Sequence, residues 1–151
     1  MIRKNYTIEV YSRAGMQDYI SKEHSNKAIL ISLRNEEDKP LDATTCRSIC
    51  STLHLVFDDI DRVREGLKAM DMQDGEAIYN FISKCQEQFN FDTILVNCGA
   101  GQSRSAGVAA ALMKFFNNDD SAIFNNPRYT PNMRCYRIVL NQMEELQYQN
   151  S

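Results

Sequence analysis

The chain has 151 residues and a formal net charge of −3. This length is typical of one domain with one core, so we expect a single domain over residues 1–151. Because proteins that coat nucleic acid usually carry a strong basic excess, the charge argues against long nucleic acids as partners. No stretch approaches the roughly 20 apolar residues that a bilayer-spanning helix needs, and we therefore expect a soluble protein without a membrane partner.

The cysteines indicate a reducing environment and no disulfide framework. The polar start "MIRKNYTIEV" does not resemble a signal peptide, so we expect a cytoplasmic location. Five cysteines at irregular spacing, without a CxxC pair or a cluster of cysteine and histidine, match neither a disulfide pattern nor a zinc pattern. Cys46 and Cys50 would share a helix face, but two thiols alone make a weak metal site. We expect no metal and no cofactor.

The first third of the chain predicts a strand, a short helix and a second strand. Residues 6–11, "YTIEVY", alternate apolar and polar side chains, as a half-exposed strand does. Ser12 is the expected cap of the helix in "SRAGMQDYISKEH". Residues 28–33, "AILISL", form a nearly continuous apolar run, which is typical of a strand covered on both faces.

The middle of the chain predicts a third strand that ends at an acidic pair. Residues 43–50 predict a helical turn, and residues 53–57, "LHLVF", predict a strand that leads directly into Asp58 and Asp59. A helix is expected over residues 75–88, because apolar residues recur there at helical spacing. These residues are Ala77, Ile78, Phe81, Ile82, Cys85 and Phe89.

The last third predicts one more strand and two helices. Residues 92–97 predict a strand and residues 105–116 a helix whose small side chains allow close approach to a sheet. After the polar link "NNDDSAIFNNPRY", Thr130 is the expected cap and Pro131 the first position of a final helix. The face of this helix that we expect to pack inward carries Met133, Tyr136, Leu140 and Met143.

Strands that alternate with helices predict an α/β fold. We expect a central, mostly parallel sheet of about four to five strands with helices on both faces. In such sheets ligands bind at the carboxyl ends of the strands. Asp58 and Asp59 follow one strand and Cys98 follows another, so this topology predicts that they meet at one edge.

The stretch "VNCGAGQSRSAG" contains the residues of an oxyanion site. Gly99 and Gly101 allow the backbone to curl until successive N–H groups point at one centre, and the following helix terminus adds to this field. Arg104, in the first turn of the helix, can grip two oxygens of a phosphate with its planar fork. The same positive field stabilises a thiolate on Cys98, which makes the sulfur a nucleophile.

Other interpretations of this stretch are less consistent with its pattern. It contains a GxG after a strand, but the third glycine of a dinucleotide fingerprint is missing and the motif comes late in the chain. A Walker loop is excluded because no Gly-Lys-Ser/Thr follows. Sulfur transfer in a rhodanese-like loop stays open, since it also places a cysteine in an anion cradle. A tight turn with an inert buried thiol is the simplest alternative.

The motif resembles a known family of enzymes. The pattern CxxGxSRS, formed by Cys98, Gly101, Ser103, Arg104 and Ser105, resembles the dual-specificity branch of the cysteine-based protein tyrosine phosphatases. The segments "LHLVFDD", "SAGVAAAL" and "YTPNMRCYRIVL" are similar to those of compact phosphatase-like proteins of bacteria and phages. The resemblance covers most of residues 28–146 and implies that the single domain is a phosphatase-like catalytic domain with that family's fold.

The resemblance also implies roles for individual residues. Cys98 is expected to form a phosphocysteine, Arg104 to bind substrate and transition state, and Ser105 to stabilise the departing thiolate. Asp59 is expected to protonate the leaving oxygen, with Asp58 and then Asp61 as alternatives, because spacing alone does not fix the register. The residues expected to surround the phosphate are Gly99, Ala100, Gly101, Gln102, Ser103 and Arg104.

One departure from the family leaves two functions open. The residue before the nucleophile is usually histidine, whereas this chain has Asn97, which brings no titratable ring. We expect a metal-independent phosphatase acting on phosphotyrosine, phosphoserine, phosphothreonine or small phosphorylated molecules. The alternative is a weak or inactive pseudophosphatase that binds a phosphorylated protein or nucleotide.

Overall fold

Four parallel strands form the sheet at the centre of the computed structural model, which describes residues 1–151. They are β1 (Thr7–Tyr11), β2 (Ala28–Arg34), β3 (Ile49–Val56) and β4 (Thr93–Asn97). The strand order is β1-β4-β2-β3, and all pairs are parallel. The two central strands, β2 and β4, are buried along almost their entire length, as their continuous apolar runs predict. The predicted fold class is confirmed.

Helices cover both faces of the sheet. They are α1 (Arg13–Ile20), α2 (Met72–Gln88), α3 (Arg104–Leu112), α4 (Ser121–Phe124) and α5 (Met133–Gln149). The larger core lies between the sheet and α2, α3 and α5, while a smaller core joins α1 to the other face through Met16 and Tyr19. No helix is both long enough and apolar enough to cross a bilayer.

Two predicted boundaries in the middle of the chain were wrong. The helical turn predicted for residues 43–50 is a pair of turns, and β3 begins at Ile49 because that residue pairs with Ala28 of β2. Helix α2 begins at Met72, three residues before the predicted start. Asp71 caps it through a reciprocal capping box with Asp74, which supplies the hydrogen bonds that a helix start needs.

The start of the last helix was also predicted wrongly. Asn132, not Thr130, caps α5, and its side-chain oxygen accepts a hydrogen bond from the N–H of Cys135 at 3.1 Å. The buried residues of the helix are Cys135, Val139, Gln142 and Met143. Of the four residues expected on the inward face, Met143 is buried, Tyr136 and Leu140 are half-buried against the core, and Met133 is 36% exposed.

The helix after β4 ends differently from an ordinary α-helix. Its predicted span is confirmed, but the last part, Met113–Asn117, is a π-helical turn that ends at Asn118 in the left-handed conformation. The polar link that follows contains the short helix α4. The small residues of α3 do allow close packing, as their pattern predicts. A Cβ added to Gly107 would lie 2.4 Å from the backbone oxygen of Asn132 at the start of α5.

This close approach predicts that Gly107→Ala destabilises the protein by about 2 kcal/mol, because a backbone atom must move to make room. Gly75→Ala is the matched comparison, since its added Cβ would meet side-chain atoms alone, of Gln142 at 2.8 Å and of Ile138 at 3.1 Å, and no backbone atom. Both substitutions gain about 1 kcal/mol of helix propensity, so the difference between them isolates the clash. Urea unfolding measures both. Equal stability of the two variants would contradict the packing described.

Candidate active site

The loop between β4 and α3 is shaped by contacts with the β1–α1 junction. Cys98 follows β4 directly, and its N–H bonds to the Tyr11 carbonyl at 3.3 Å, while the Gly99 carbonyl accepts a bond from the N–H of Arg13 at 3.0 Å. Gly101 has a φ of +69°, and a Cβ there would lie 2.5 Å from the backbone nitrogen of Ser12. Only glycine fits this position, since both the conformation and the space exclude a side chain.

The N–H groups of this loop have no acceptor in the protein. None of the backbone N–H groups from residue 99 to residue 106 donates a hydrogen bond within the chain. The first amide of this region that does so belongs to Gly107, which bonds to the Ser103 carbonyl at 2.9 Å. A helix always leaves its first N–H groups without internal partners, and here a loop adds several more beside them. Such a run of unpaired donors is suited to an oxyanion.

Arg104 is held so that one edge of its guanidinium is unpaired. Its Nη1 donates to the Oδ1 of Asn35 at 2.7 Å and to the Phe57 carbonyl at 2.8 Å. The Nε is buried without a partner, and Nη2 lies 3.8 Å from the position of a Cβ on Gly99. Because Nε and Nη2 form one edge of the planar group, that edge is available for two parallel bonds to an oxyanion above the loop.

Cys98 lies at the base of this loop with a hydroxyl beside it. Its side chain is buried at 3% exposure, and its Sγ is 3.0 Å from the Oγ of Ser105. A hydroxyl at this distance can donate to a thiolate and stabilise it. The structure therefore places Cys98, Arg104 and Ser105, the residues named from the sequence, on the same loop.

Asp59 reaches this loop from the end of β3. Its Oδ1 accepts hydrogen bonds from the Oγ of Ser103 at 2.8 Å and from the Nδ2 of Asn132 at 2.9 Å. Asn132 also donates to the Ile60 carbonyl at 3.0 Å, so it fixes the segment that carries the carboxylate. The predicted meeting of the two strand ends at one edge of the sheet is thus observed.

The other two acidic candidates make their contacts elsewhere. Asp58 accepts a bond from the N–H of Lys68 at 2.8 Å and donates its own N–H to the Lys68 carbonyl at 2.7 Å, which closes the loop that follows β3. Asp61 pairs with Arg62 at 3.5 Å, and both of these side chains are exposed. The geometry thus separates three aspartates that spacing alone could not distinguish.

Two buried cysteines differ from Cys98 in their surroundings. Burial raises the pKa of Cys135 to about 12, and the Asp59 carboxylate acts in the same direction. Burial also raises the pKa of Cys85 to about 11. Both therefore stay protonated at neutral pH.

The remaining loop residues have different exposures. Gly99, Ala100 and Gln102 are exposed, and the Gln102 carbonyl accepts a bond from the N–H of Thr130 at 2.9 Å. Asn97, the residue before Cys98, is buried, and its Oδ1 has no hydrogen-bond partner.

Sequence reasoning missed two residues of the site. Asn35 directly follows β2 and holds Arg104, and its position at the carboxyl end of a central strand was the available signal. Asn132 holds Asp59, and it was overlooked because the helix start was placed two residues too early. Both act on other side chains of the site, so we describe them as positioning residues.

The chain is similar in fold to several solved structures. Human DUSP28 is 16% identical, and the alignment covers 99% of each chain with a TM-score of 0.59. PTPMT1, solved in complex with PI(5)P, is 15% identical over 99% of this chain and 98% of that chain, with a TM-score of 0.57. The PTP-2 phosphatase of Cydia pomonella is 18% identical over 93% and 90%, with a TM-score of 0.55.

The chain has the dual-specificity phosphatase fold. The expected resemblance is thereby confirmed for the architecture. No protein-family model and no curated protein sequence matches the chain. At identities this low the likeness concerns the fold. Within the phosphatase fold, the loop described above occupies the carboxyl end of β4, where ligands of parallel sheets bind.

The position of Arg104 leads to a prediction about oxyanion binding. Asn35→Ala removes one of the two acceptors that hold Nη1, so we expect orthovanadate to bind about tenfold more weakly. Glu36→Ala is the matched control, because Glu36 is an exposed neighbour outside these contacts, and it should bind normally. Isothermal titration calorimetry measures both variants. Unchanged vanadate affinity in Asn35→Ala would show that this residue does not position Arg104.

Proposed function

We propose that the protein is a metal-independent phosphomonoesterase that works through a phosphocysteine. One observation supports this most directly: the unpaired Nε and Nη2 edge of Arg104 and the unpaired N–H groups of residues 99–106 are on the loop that begins at Cys98. Together they can hold three oxygens of a phosphoryl group and spread its negative charge. The nucleophile lies at the base of the same loop.

The first step breaks the phosphorus–oxygen ester bond. The Cys98 thiolate attacks phosphorus and forms a sulfur–phosphorus bond, while the leaving oxygen takes the bonding electron pair and a proton from Asp59. Two donors hold Oδ1 of Asp59, so Oδ2 is the oxygen that can carry this proton. The products are the dephosphorylated alcohol or phenol and phosphorylated Cys98.

The second step hydrolyses the phosphocysteine. The Asp59 carboxylate takes a proton from a water molecule, whose oxygen attacks phosphorus, and the sulfur leaves with the electron pair as a thiolate. The Ser105 hydroxyl, 3.0 Å from Sγ, stabilises that thiolate. Inorganic phosphate and the starting enzyme result. We propose that Gln102, which is exposed on the loop, positions this water molecule.

A cavity beside Asp59 bears on the class of substrate. A cavity of about 330 Å³ lies beside Asp59 and Ser103 and is also lined by Arg64 and Met133. This rim offers both signs of charge and an apolar contact to the group that carries the phosphate. We propose phosphorylated protein side chains or small phosphorylated molecules as substrates.

We also propose a cytoplasmic location, because all five cysteines are unpaired thiols and the chemistry needs Cys98 reduced.

The principal test is hydrolysis of para-nitrophenyl phosphate with and without a chelator. We expect turnover that the chelator leaves unchanged and that Cys98→Ser removes, because oxygen in place of sulfur is a much weaker nucleophile here. Cys50→Ser is the matched control, since Cys50 is half-buried on β3 and away from the loop, and it should stay active. Full activity in Cys98→Ser, or turnover that needs a metal, would contradict the proposal.

The role of Asp59 predicts a dependence on the leaving group. Asp59→Asn should lower kcat about 100-fold for phenyl phosphate, whose leaving oxygen needs a proton. For 2,4-dinitrophenyl phosphate, whose leaving group is stable as an anion, the loss should be less than about fivefold. Asp58→Asn is the matched control and should preserve kcat for both substrates. Equal losses for the two substrates in Asp59→Asn would exclude Asp59 as the acid.

A second candidate function is binding without turnover. Asn97 favours it, because a buried amide with an unpartnered oxygen stands where the related enzymes usually have a histidine. A protein of this type would capture a phosphorylated protein or nucleotide with the same loop. Calorimetric binding of phosphotyrosine without hydrolysis by the unaltered protein would favour this candidate, whereas turnover removed by Cys98→Ser would exclude it.

A further inference from the structure

Strand β1 is at the edge of the sheet, and its outer side has unpaired backbone groups. The Thr7 N–H bonds to the Asp92 carbonyl, and the Tyr11 carbonyl accepts the N–H of Cys98, so alternate residues of β1 face β4. Ile8 and Val10 therefore direct their N–H and C=O groups away from the sheet, and these groups have no partner in the chain. An edge of this kind can pair with an added strand.

The open part of the edge is short because the chain closes it at both ends. At Tyr6 the Asn117 side chain accepts from the N–H at 3.0 Å and donates to the carbonyl at 2.9 Å, as a neighbouring strand would. At the other end Ser12 is in contact with Gly101. An added strand can thus pair only with Ile8 and Val10, which defines its register.

One face of this edge has an apolar groove. The groove has a volume of about 350 Å³ and lies between β1 and the segment around α4. Its hydrophobic lining consists of Ile8, Val10, Tyr11, Met113, Ala122, Ile123 and Tyr129. Residues of an added strand that lie opposite Ile8 and Val10 would direct their side chains into this groove, because opposite residues of antiparallel strands share a face.

The other face of the same edge carries one carboxylate without a cationic partner. A cavity of about 340 Å³ there is lined by Glu9, Asp18, Lys22 and His24, among others. Lys22 pairs with Asp18 at 2.9 Å, whereas Glu9 accepts only the hydroxyl of Tyr11, at 2.9 Å, and has no cationic partner. The residue of an added strand that lies opposite Glu9 would therefore be favoured as lysine or arginine.

We propose that the β1 edge binds an extended segment of a partner protein in which apolar and basic residues alternate. Backbone bonds to Ile8 and Val10 supply affinity, while the apolar groove and Glu9 select the side chains. A second copy of this chain fits poorly. The antiparallel register that pairs Ile8 of one copy with Val10 of the other places Glu9 directly opposite Glu9, and like charges in that position repel.

The docked segment would end beside the candidate active site. β1 leads into the junction that shapes the loop, since the Tyr11 carbonyl holds the N–H of Cys98. Adjacent strands lie about 4.8 Å apart, so an added strand would run about 10 Å from β4. About three extended residues span that distance, which allows a partner held at β1 to present a neighbouring residue to the loop. Docking itself does not depend on the proposed chemistry.

The test uses short peptides and nitrogen-15-labelled protein. The probe is acetyl-TVKVT-amide, whose two valines would lie opposite Ile8 and Val10 and whose lysine would lie opposite Glu9. In ¹H–¹⁵N correlation spectra we expect the amides of Ile8 and Val10 to shift and to gain protection from hydrogen exchange. Acetyl-TVEVT-amide should bind about fivefold more weakly, and Glu9→Gln should remove this preference.

N-methylated peptides separate strand pairing from simple apolar contact. A methyl group on the nitrogen of either valine removes a donor that faces β1 and should abolish binding. Methylation of the lysine nitrogen, which faces away, should leave binding intact. The proposal is overturned if the valine-methylated and lysine-methylated peptides bind equally well. It is also overturned if no shift occurs at 10 mM peptide, or if the shifts fall on the β3 edge instead. Concentration-dependent shifts of Ile8 and Val10 without peptide would replace it with self-association.

Discussion

The bond between Arg104 and the ends of two neighbouring strands is the contact on which the candidate site depends. Arg104 begins α3 after β4, yet its Nη1 is bound by Asn35 after β2 and by the Phe57 carbonyl after β3. One cation therefore joins three carboxyl ends of the sheet. Because Nη1 is fully engaged, the rotation of the guanidinium is fixed, and the Nε and Nη2 edge is already aligned for two oxygens before a ligand arrives.

A second set of contacts places Asp59 relative to that cation. Ser103, the residue before Arg104, donates to Asp59, and Asn132 donates to the same oxygen while capping α5. The close approach of α3 and α5 at Gly107 brings Asn132 to this position. Asp59 is exposed, so its two hydrogen bonds, rather than burial, restrict where its carboxylate lies. Packing between two helices thus determines the geometry of a polar contact at the surface.

Sequence patterns predicted the features that depend on neighbouring residues. The alternation of "YTIEVY", the apolar run of β2 and the loop from Cys98 to Arg104 are local, and each was found where its pattern placed it. The residues that sequence reasoning missed act over long separations. Asn35 lies 69 positions from Arg104, and Asn132 lies 73 positions from Asp59. A single asparagine has no periodicity, so only the folded arrangement shows which partner it binds.

The dependence of the loop on the β1–α1 junction has a consequence for folding kinetics. Backbone hydrogen bonds hold Cys98 and Gly99, which follow the last strand of the chain, against Tyr11 and Arg13, at the end of the first strand. Contacts between residues so far apart in the sequence form only after the entropy cost of closing a long loop has been overcome, so the loop after β4 reaches its final shape late in folding. A newly synthesised or refolding molecule would therefore gain most of its helices before the N–H groups of residues 99–106 take up their places, and the candidate site would be among the last parts to assemble.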